Sequence, residues 1–356
     1  MKDKSETEIR HWTYWEFWPA WIFYLPVAFY YAALAWKYRG FGIPALANPG
    51  IEAGGLVGES KMEVLHQLQK AFPEYTAQSW LLKNHDREQT KSFIQNLLKN
   101  REIHYPFILK PDTGQRGSGV KLIRNEDQAD RYLSHCSNPI VLQQYVQGPL
   151  EAGVFYYRYP NETKGHIFAI TDKHFPLLTG DGVSSLEQLI LKDPRAIHMK
   201  SVYFRRFQKQ LKEIPSKGKP FHLVQSGNHA QGCLFKDGLH LYSEALRDQI
   251  DTISRAIPGF FVGRYDIRYS SRETLMAGRD FKIVELNGAA SEATQIYDPT
   301  NSLWNAYQTL FRQWEMIFRI GHDCRTRYPS NPVSGLSLLK RWWDYRLTSQ
   351  SHPMAD

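Results

Sequence analysis

Two stretches in the C-terminal third constrain this chain most: Gly263-Arg264-Tyr265-Asp266-Ile267-Arg268-Tyr269 and Phe281-Lys282-Ile283-Val284-Glu285-Leu286-Asn287-Gly288. Both read as strands. Because strand side chains alternate between faces, Arg264, Asp266 and Arg268 share one side, as do Glu285 and Asn287. The polar segment from Ser270 to Asp280 predicts a hairpin connection, which would set the two faces side by side. Magnesium takes hard oxygen ligands and keeps waters and substrate phosphates, so Asp266, Glu285 and Asn287 with nearby arginines form a complete cradle for Mg2+ and phosphate. An ordinary amphipathic hairpin with a solvated polar face has the same alternation.

A basic glycine loop lies upstream. Tyr105 to Ile123 reads as strand, loop, strand, with apolar runs on both sides of Gly114, Gly117 and Gly119. Glycines let backbone N–H groups approach phosphate oxygens, and Lys110, Arg116 and Lys121 place positive charge beside them. The spacing matches neither the P-loop nor the dinucleotide-binding fingerprint. A plain glycine turn between strands would not need Lys110 at a strand end.

The strand ending in Lys110-Pro111, the glycine loop, Gln143-Gln144-Tyr145-Val146-Gln147-Gly148-Pro149-Leu150-Glu151 and the Asp266/Glu285/Asn287 set together resemble the ATP-grasp superfamily, the D-alanine:D-alanine ligase type in particular. The resemblance runs from about Glu59 to Pro299 and rests on the order and spacing of motifs that are each weak alone. It implies an α+β ATP-grasp fold whose two lobes clasp ATP. Lys61, just before a helix from Met62 to Lys70, resembles the first nucleotide-binding lysine, and Lys110 the second, which contacts the α- and β-phosphates. Gly114, Arg116, Gly117, Ser118 and Gly119 resemble the flexible loop over those phosphates. Gln143, Gln144 and Val146 fall on the hinge that reads adenine, and Glu151 matches the ribose-binding glutamate. The sequence departs from the family where Gln143 stands for a common glutamate and Gln144 for a common lysine, and an extra residue precedes Glu151. A glutamine amide oxygen still accepts from the adenine amino group.

Leu178 to Ile190, with Gly180-Asp181-Gly182, is similar to a segment of amino-acid ligases such as cyanophycin synthetase. From the residues alone it is a turn and a helix N-cap, with Ser184 or Ser185 and Glu187 as capping residues. The resemblance implies transfer of the γ-phosphoryl of ATP to a carboxylate, then displacement of phosphate by an amine. Such a reaction needs clustered cations rather than a protein nucleophile. Arg268 is expected to stabilise the transferred group, with Lys110. Lys173 and His174, ending a strand from Gly165 to Thr171, face the same cleft on this reading, and Asn228 and His229 are further candidates for an acceptor pocket. A scaffold that binds nucleotide without ligation, or an ATP-grasp phosphotransferase without an amine step, are the alternatives.

Phe17 to Trp36 contains no charged residue. As one helix it would be about 30 Å long, enough for a bilayer core. Pro19 and Pro26 interrupt it and aromatics are spread along it, so a helix lying on the membrane competes with a spanning one, and a buried aromatic helix competes with both. Lys37 and Arg39 favour the cytoplasmic side for the C-terminal flank. A signal peptide is not expected, since the run follows a mixed-charge opening and no small-residue cleavage pattern follows it. Residues 1–58 thus read as a membrane-associating aromatic segment in place of a Rossmann-like pre-domain, 59–145 as the smaller lobe, 146–320 as the larger lobe with the metal strands, and 321–356, with Trp342 and Trp343, as a tail. The net charge of +8 suits ATP and anionic lipid. The expected partners are small-molecule acid and amine substrates, in one version lipid-linked, and a membrane surface. Nucleic acid is not expected: the largest basic cluster, Arg205 to Lys219, reads as a solvated face. Three scattered cysteines fit a reducing compartment and give no zinc site.

Overall fold

The strands fall into two main sheets that follow one another along the chain. The computed structural model describes residues 15–83, 86–113, 119–136, 139–224, 227–328 and 340. Helices α1 (Ala20–Phe23) and α2 (Leu25–Lys37) come first, then short 3-10 turns and α3 (Lys61–Ala71). Strands β1 (Ser79–Leu82), β2 (Phe107–Pro111), β3 (Lys121–Ile123) and β4 (Ile140–Gln144) form an antiparallel sheet of order β1-β4-β2-β3, with α4 (Arg87–Lys99) and α5 (Glu126–His135) between them in sequence. Alternation along β2 sends Phe107 and Leu109 into a core with Ile94 and Leu97 of α4 and Tyr132 and Leu133 of α5, which leaves Lys110 on the opposite face.

The second sheet, order β11-β10-β5-β6-β9, contains β5 (Leu150–Tyr157), β6 (His166–His174), β9 (Leu234–Asp237), β10 (Val262–Tyr269) and β11 (Phe281–Asn287). A ribbon of β7 (Leu177–Thr179) and β8 (Pro220–His222) accompanies α6 (Leu186–Lys192) and α7 (Lys200–Arg206). Helix α8 (Glu244–Arg255) presents Leu246, Ile250 and Ile253, and α3 presents Val64 and Leu68, to one face of this sheet, where Val154, Tyr265, Ile267 and Ile283 are buried. The other face carries the charged residues. Burial of these aliphatic and aromatic side chains, each contributing about 1.5–3 kcal/mol, holds that division of faces.

Several elements differ from their expected form. The connection after β10 contains a short helix, α9 (Arg272–Met276), because Ser271 caps it by accepting from the Thr274 N–H. Strand β6 runs to His174, so Lys173 lies within it. Helix α6 is opened by Ser185 with Gln188, rather than Glu187, completing the capping box. Residues 17–36 do not make one helix: a 3-10 turn at Trp15–Phe17 is followed by α1 after Pro19 and by α2 after Tyr24, with Pro26 in the first turn of α2. No helix among the described residues is long and apolar enough to cross a membrane. One side of this segment instead packs on α10 (Leu303–Arg327), through Phe23 and Val27 against Ala306 and Leu310, and through Leu34 against Phe318. Helix α10 continues past residue 321, and Trp342 and Trp343 lie outside the described residues.

The N-terminal residues are tied to the second sheet by one fully buried side chain. Asn48 donates through Nδ2 to the carbonyls of Gly54 (3.0 Å) and Val262 (2.8 Å), and its Oδ1 accepts from the N–H groups of Phe261 (2.8 Å) and Val262 (2.9 Å). All four of its hydrogen-bonding positions are used. Asn48→Ala would leave buried backbone groups unpaired, at about 1–3 kcal/mol each. The expected outcome is a loss of stability of at least about 3 kcal/mol, read from equilibrium urea unfolding.

Candidate functional site

The polar face of the second sheet is built by register. Across β10 and β11, Asp266 faces Glu285 and Arg264 faces Asn287; across β5, β6 and β10, Glu151 lies between Arg268 and Lys173. A β-bulge between Asp266 and Ile267 leaves Val284 without a partner in the ladder. That extra residue lets Ile283 enter the core while Glu285, two residues on, joins Asp266 on the polar face. It also aims the Val284 carbonyl at the first sheet. There it accepts from Lys110 Nζ (3.1 Å) and Gln143 Nε2 (3.1 Å).

The charges on this face are linked. Lys173 Nζ lies 2.8 Å from Glu151 and 3.1 Å from Asp266; Arg264 Nε lies 3.2 Å from Asp266; Arg268 Nε lies 3.3 Å from Glu151. Burial opposes ionisation of Asp266, but Arg264 and Lys173 outweigh it and hold its carboxyl below the usual range. Burial likewise works against the Lys173 ammonium, yet Asp266 and Glu151 raise its pKa. Lys173 is thus central to the face, whereas His174 points the other way, to Asp172 at 3.1 Å. The sequence signal for Lys173 was a single cation at the end of an apolar strand.

Lys61 opens α3, whose N-terminus is held by Asp112: Oδ1 accepts from Ser60 Oγ (3.1 Å) and from the Met62 N–H (2.9 Å). Its Nζ comes within 3.9 Å of Glu285. Lys110 is buried and donates to Gln143 Oε1 at 3.0 Å. The Gln143 amide oxygen is therefore engaged by Lys110, where the sequence suggested an acceptor for adenine. Glu151, matched to a ribose-binding glutamate, is pinned between Lys173 and Arg268 and is buried. Arg268, besides Glu151, donates to the Val146 carbonyl (2.8 Å) and stacks on Tyr145 at 5.1 Å, so it braces the link between the sheets. Gln144 is exposed at the end of β4, its N–H on the Gln78 carbonyl (2.8 Å). Gly119 is described, with positive φ, and its carbonyl accepts from the Tyr132 hydroxyl at 2.7 Å. Gly114, Arg116, Gly117 and Ser118 lie outside the described residues.

A cavity of about 1100 Å³ opens over this face. Lys61, Lys110, Gln143, Gln144, Val146, Glu151, Asp266, Arg268, Glu285 and Asn287 all line it. Much of the remaining wall comes from residues the sequence reading assigned to a membrane anchor, among them Trp15, Phe17, Phe23 and Tyr24, with Tyr297 and Trp314. Asn228 and His229 also line it. Their only sequence signal was a glycine-punctuated turn, and the aromatic wall gave none, since an apolar run reads alike whether it covers a cleft or meets lipid.

Residues 61–153 match the family model of the RimK-like ATP-grasp domain. That stretch of the chain is similar to an ATP-grasp domain. That stretch includes the Lys61 helix, the Lys110 strand, Gln143 to Val146 and Glu151. Among solved structures, the chain is similar to the D-alanine–D-alanine ligase of Bacillus anthracis complexed with ATP, with 11% identity, a TM-score of 0.42, and coverage of 76% of this chain and 68% of that one. It is also similar to the VanG D-Ala:D-Ser ligase of Enterococcus faecalis (12%, 0.39, 74% and 62%) and to a bifunctional glutathione synthetase from Pasteurella multocida (14%, 0.37, 73% and 38%). This chain therefore spans less than two thirds of the length of those last two structures. No curated protein matches the sequence.

The buried lysine gives a pH signature. Burial pushes the Lys110 ammonium down to about 8, against an ordinary value near about 10.4. Above that value the amine is neutral and its attraction to phosphate is lost. ATP affinity is expected to weaken as pH rises through about 8 in isothermal titration, and Lys110→Met should both lower the affinity and flatten the pH dependence.

Proposed function

We propose that this ATP-grasp protein is an ATP-dependent carboxylate–amine ligase that forms an acyl phosphate and then an amide or peptide bond, releasing ADP and phosphate. The observation that carries the reading is the convergence of Lys61, Lys110, Asp266 and Glu285 on one cavity beside the hinge. Lys61 and Lys110 place positive charge where a triphosphate enters. Arg264, Lys173 and Arg268 hold the two carboxylates of the row in fixed positions, as catalysis by preorganised charge requires. The remaining cavity, of mixed aromatic and polar lining, leaves room for an acid and an amine.

The residues fit Mg2+ as part of this site. Among the described residues no three His, Cys, Asp or Glu side chains converge, so a cation would rest on Asp266, Glu285 and the Asn287 amide, completed by ligand oxygens and water. Mg2+ is commonly held in this way, by one or two carboxylates and phosphate. Bound there, it would supply charge neutralisation for phosphoryl transfer. Glu285 is the more accessible of the two carboxylates, and among the described residues its ion-pair contact is a long one, to Lys61. Glu285→Ala should lower acid- and amine-dependent ADP and phosphate release by at least about 100-fold while leaving thermal unfolding unchanged. AMP and pyrophosphate as products would overturn the ligase reading, phosphorylated acid without amide would mark a phosphotransferase, and ATP binding without phosphate release would mark a scaffold.

The outer face of the N-terminal helices supports a location. Leu25, Phe29, Ala33 and Trp36 recur at helical spacing on the exposed side of α2, Trp36 being 86% exposed, with Trp21 before them and Lys37 and Arg39 after. An apolar stripe ending in basic residues on a chain of net charge +8 suits an anionic lipid surface, with the helix lying in the interface on the cytoplasmic side. This packing against α10 on one side and lipid on the other also suits lipid-linked substrates. Replacing Trp21, Phe29 and Trp36 by glutamine is expected to abolish co-sedimentation with phosphatidylserine vesicles while ATP binding persists. Equal sedimentation of both proteins would remove the proposal.

A further inference from the structure

Ligation leaves one proton unassigned. As the amine lone pair forms the C–N bond and the phosphate leaves with the electron pair of the broken C–O bond, the nitrogen must lose a proton. Resting on the ligase reading, we propose that His229 Nδ1 accepts it, with Glu16 as the residue that orients the ring.

His229 lines the cavity and hydrogen-bonds through Nε2 to a Glu16 carboxylate oxygen. The Glu16 side chain is 2% exposed and is also paired with Arg195 at 3.2 Å. A carboxylate on Nε2 keeps the hydrogen there and leaves the Nδ1 lone pair open. Among the described residues Nδ1 has no hydrogen-bond partner, and the His229 side chain, 22% exposed, belongs to the cavity lining. Aromatic neighbours fix the ring plane: Tyr297 stacks on it at 5.1 Å, and Phe17 and Phe235 lie at 6.2 and 5.2 Å.

The dyad is close to the charged row. Phe235, against His229, also lies under Lys173 Nζ at 5.8 Å. Two residues before His229, a Cβ added to Gly227 would come within 1.9 Å of Glu151 Oε1, so the backbone leading to the imidazole runs directly against that carboxylate. Proton acceptance by a positioned histidine is the commonest form of general base catalysis.

The test separates the amine step from phosphoryl transfer. Wild type, His229→Ala and Glu16→Gln are incubated with ATP, Mg2+ and a panel of amino and hydroxy acids, with either a panel of primary amines or hydroxylamine as nucleophile. Hydroxylamine is largely unprotonated at neutral pH, and the weakly basic nitrogen of its adduct gives its proton to water without a positioned base. We expect amide formation by His229→Ala to fall about 10²- to 10⁴-fold with KM for ATP unchanged, hydroxamate formation to persist, and added imidazole to restore part of the amide rate. Glu16→Gln should lower kcat for the amine without changing KM, and should move the His229 ¹⁵N signals away from the Nε2–H tautomer. Parallel loss of hydroxamate and amide in His229→Ala, or an unchanged amide rate, overturns the assignment. Hydroxamate absent from wild type with every acid overturns the ligase reading itself, a result distinguishable from either.

Discussion

The structure depends on keeping five charges together in a buried row. Asp266 and Glu151 are buried carboxylates that Lys173 reaches together, with Arg264 and Arg268 at the flanks, and Arg264 and Lys173 hold the Asp266 carboxyl below its usual range. Buried ion pairs of this kind add little net stability, since desolvation offsets most of the attraction, but removing one partner strands another charge at a cost of about 3–5 kcal/mol. The row is therefore fixed in composition. It occupies one face of a sheet whose other face is aliphatic and aromatic core, and on the proposed reading its rigidity suits it to polyphosphate.

The N-terminal segment has two faces with different occupations. Inward, Trp15, Phe17, Phe23 and Tyr24 wall the cavity and Tyr24 donates to Glu292 at 2.7 Å. Outward, large apolar side chains meet solvent. Asn48 and the turns around it fasten this segment to β10, so cavity wall and polar strand are positioned by the same short stretch of chain.

Much of this was legible in the sequence because it rests on period-two alternation and on cap residues. Asp266 facing Glu285, Lys110 on the polar side of β2, and the Lys61 helix all follow from local pattern. What was not legible depends on side chains meeting across the fold. Alternation alone puts Ile283 and Glu285 on one face, and only the bulge at Val284 separates them. The hinge pattern turns Gln143 toward a ligand, yet its partners are Lys110, Ser79 and Val284, all of them distant in sequence. The aromatic run was read through composition, which does not distinguish a lipid surface from a wall packed on α10.

The Val284 carbonyl has one more consequence. It gives the Lys110 ammonium a resting place, at 3.1 Å, on the opposite sheet. Gln143 Oε1 and this carbonyl engage two of the three ammonium N–H donors among the described residues, so on the proposed reading a polyphosphate oxygen takes the third and adds an external contact to the internal tether.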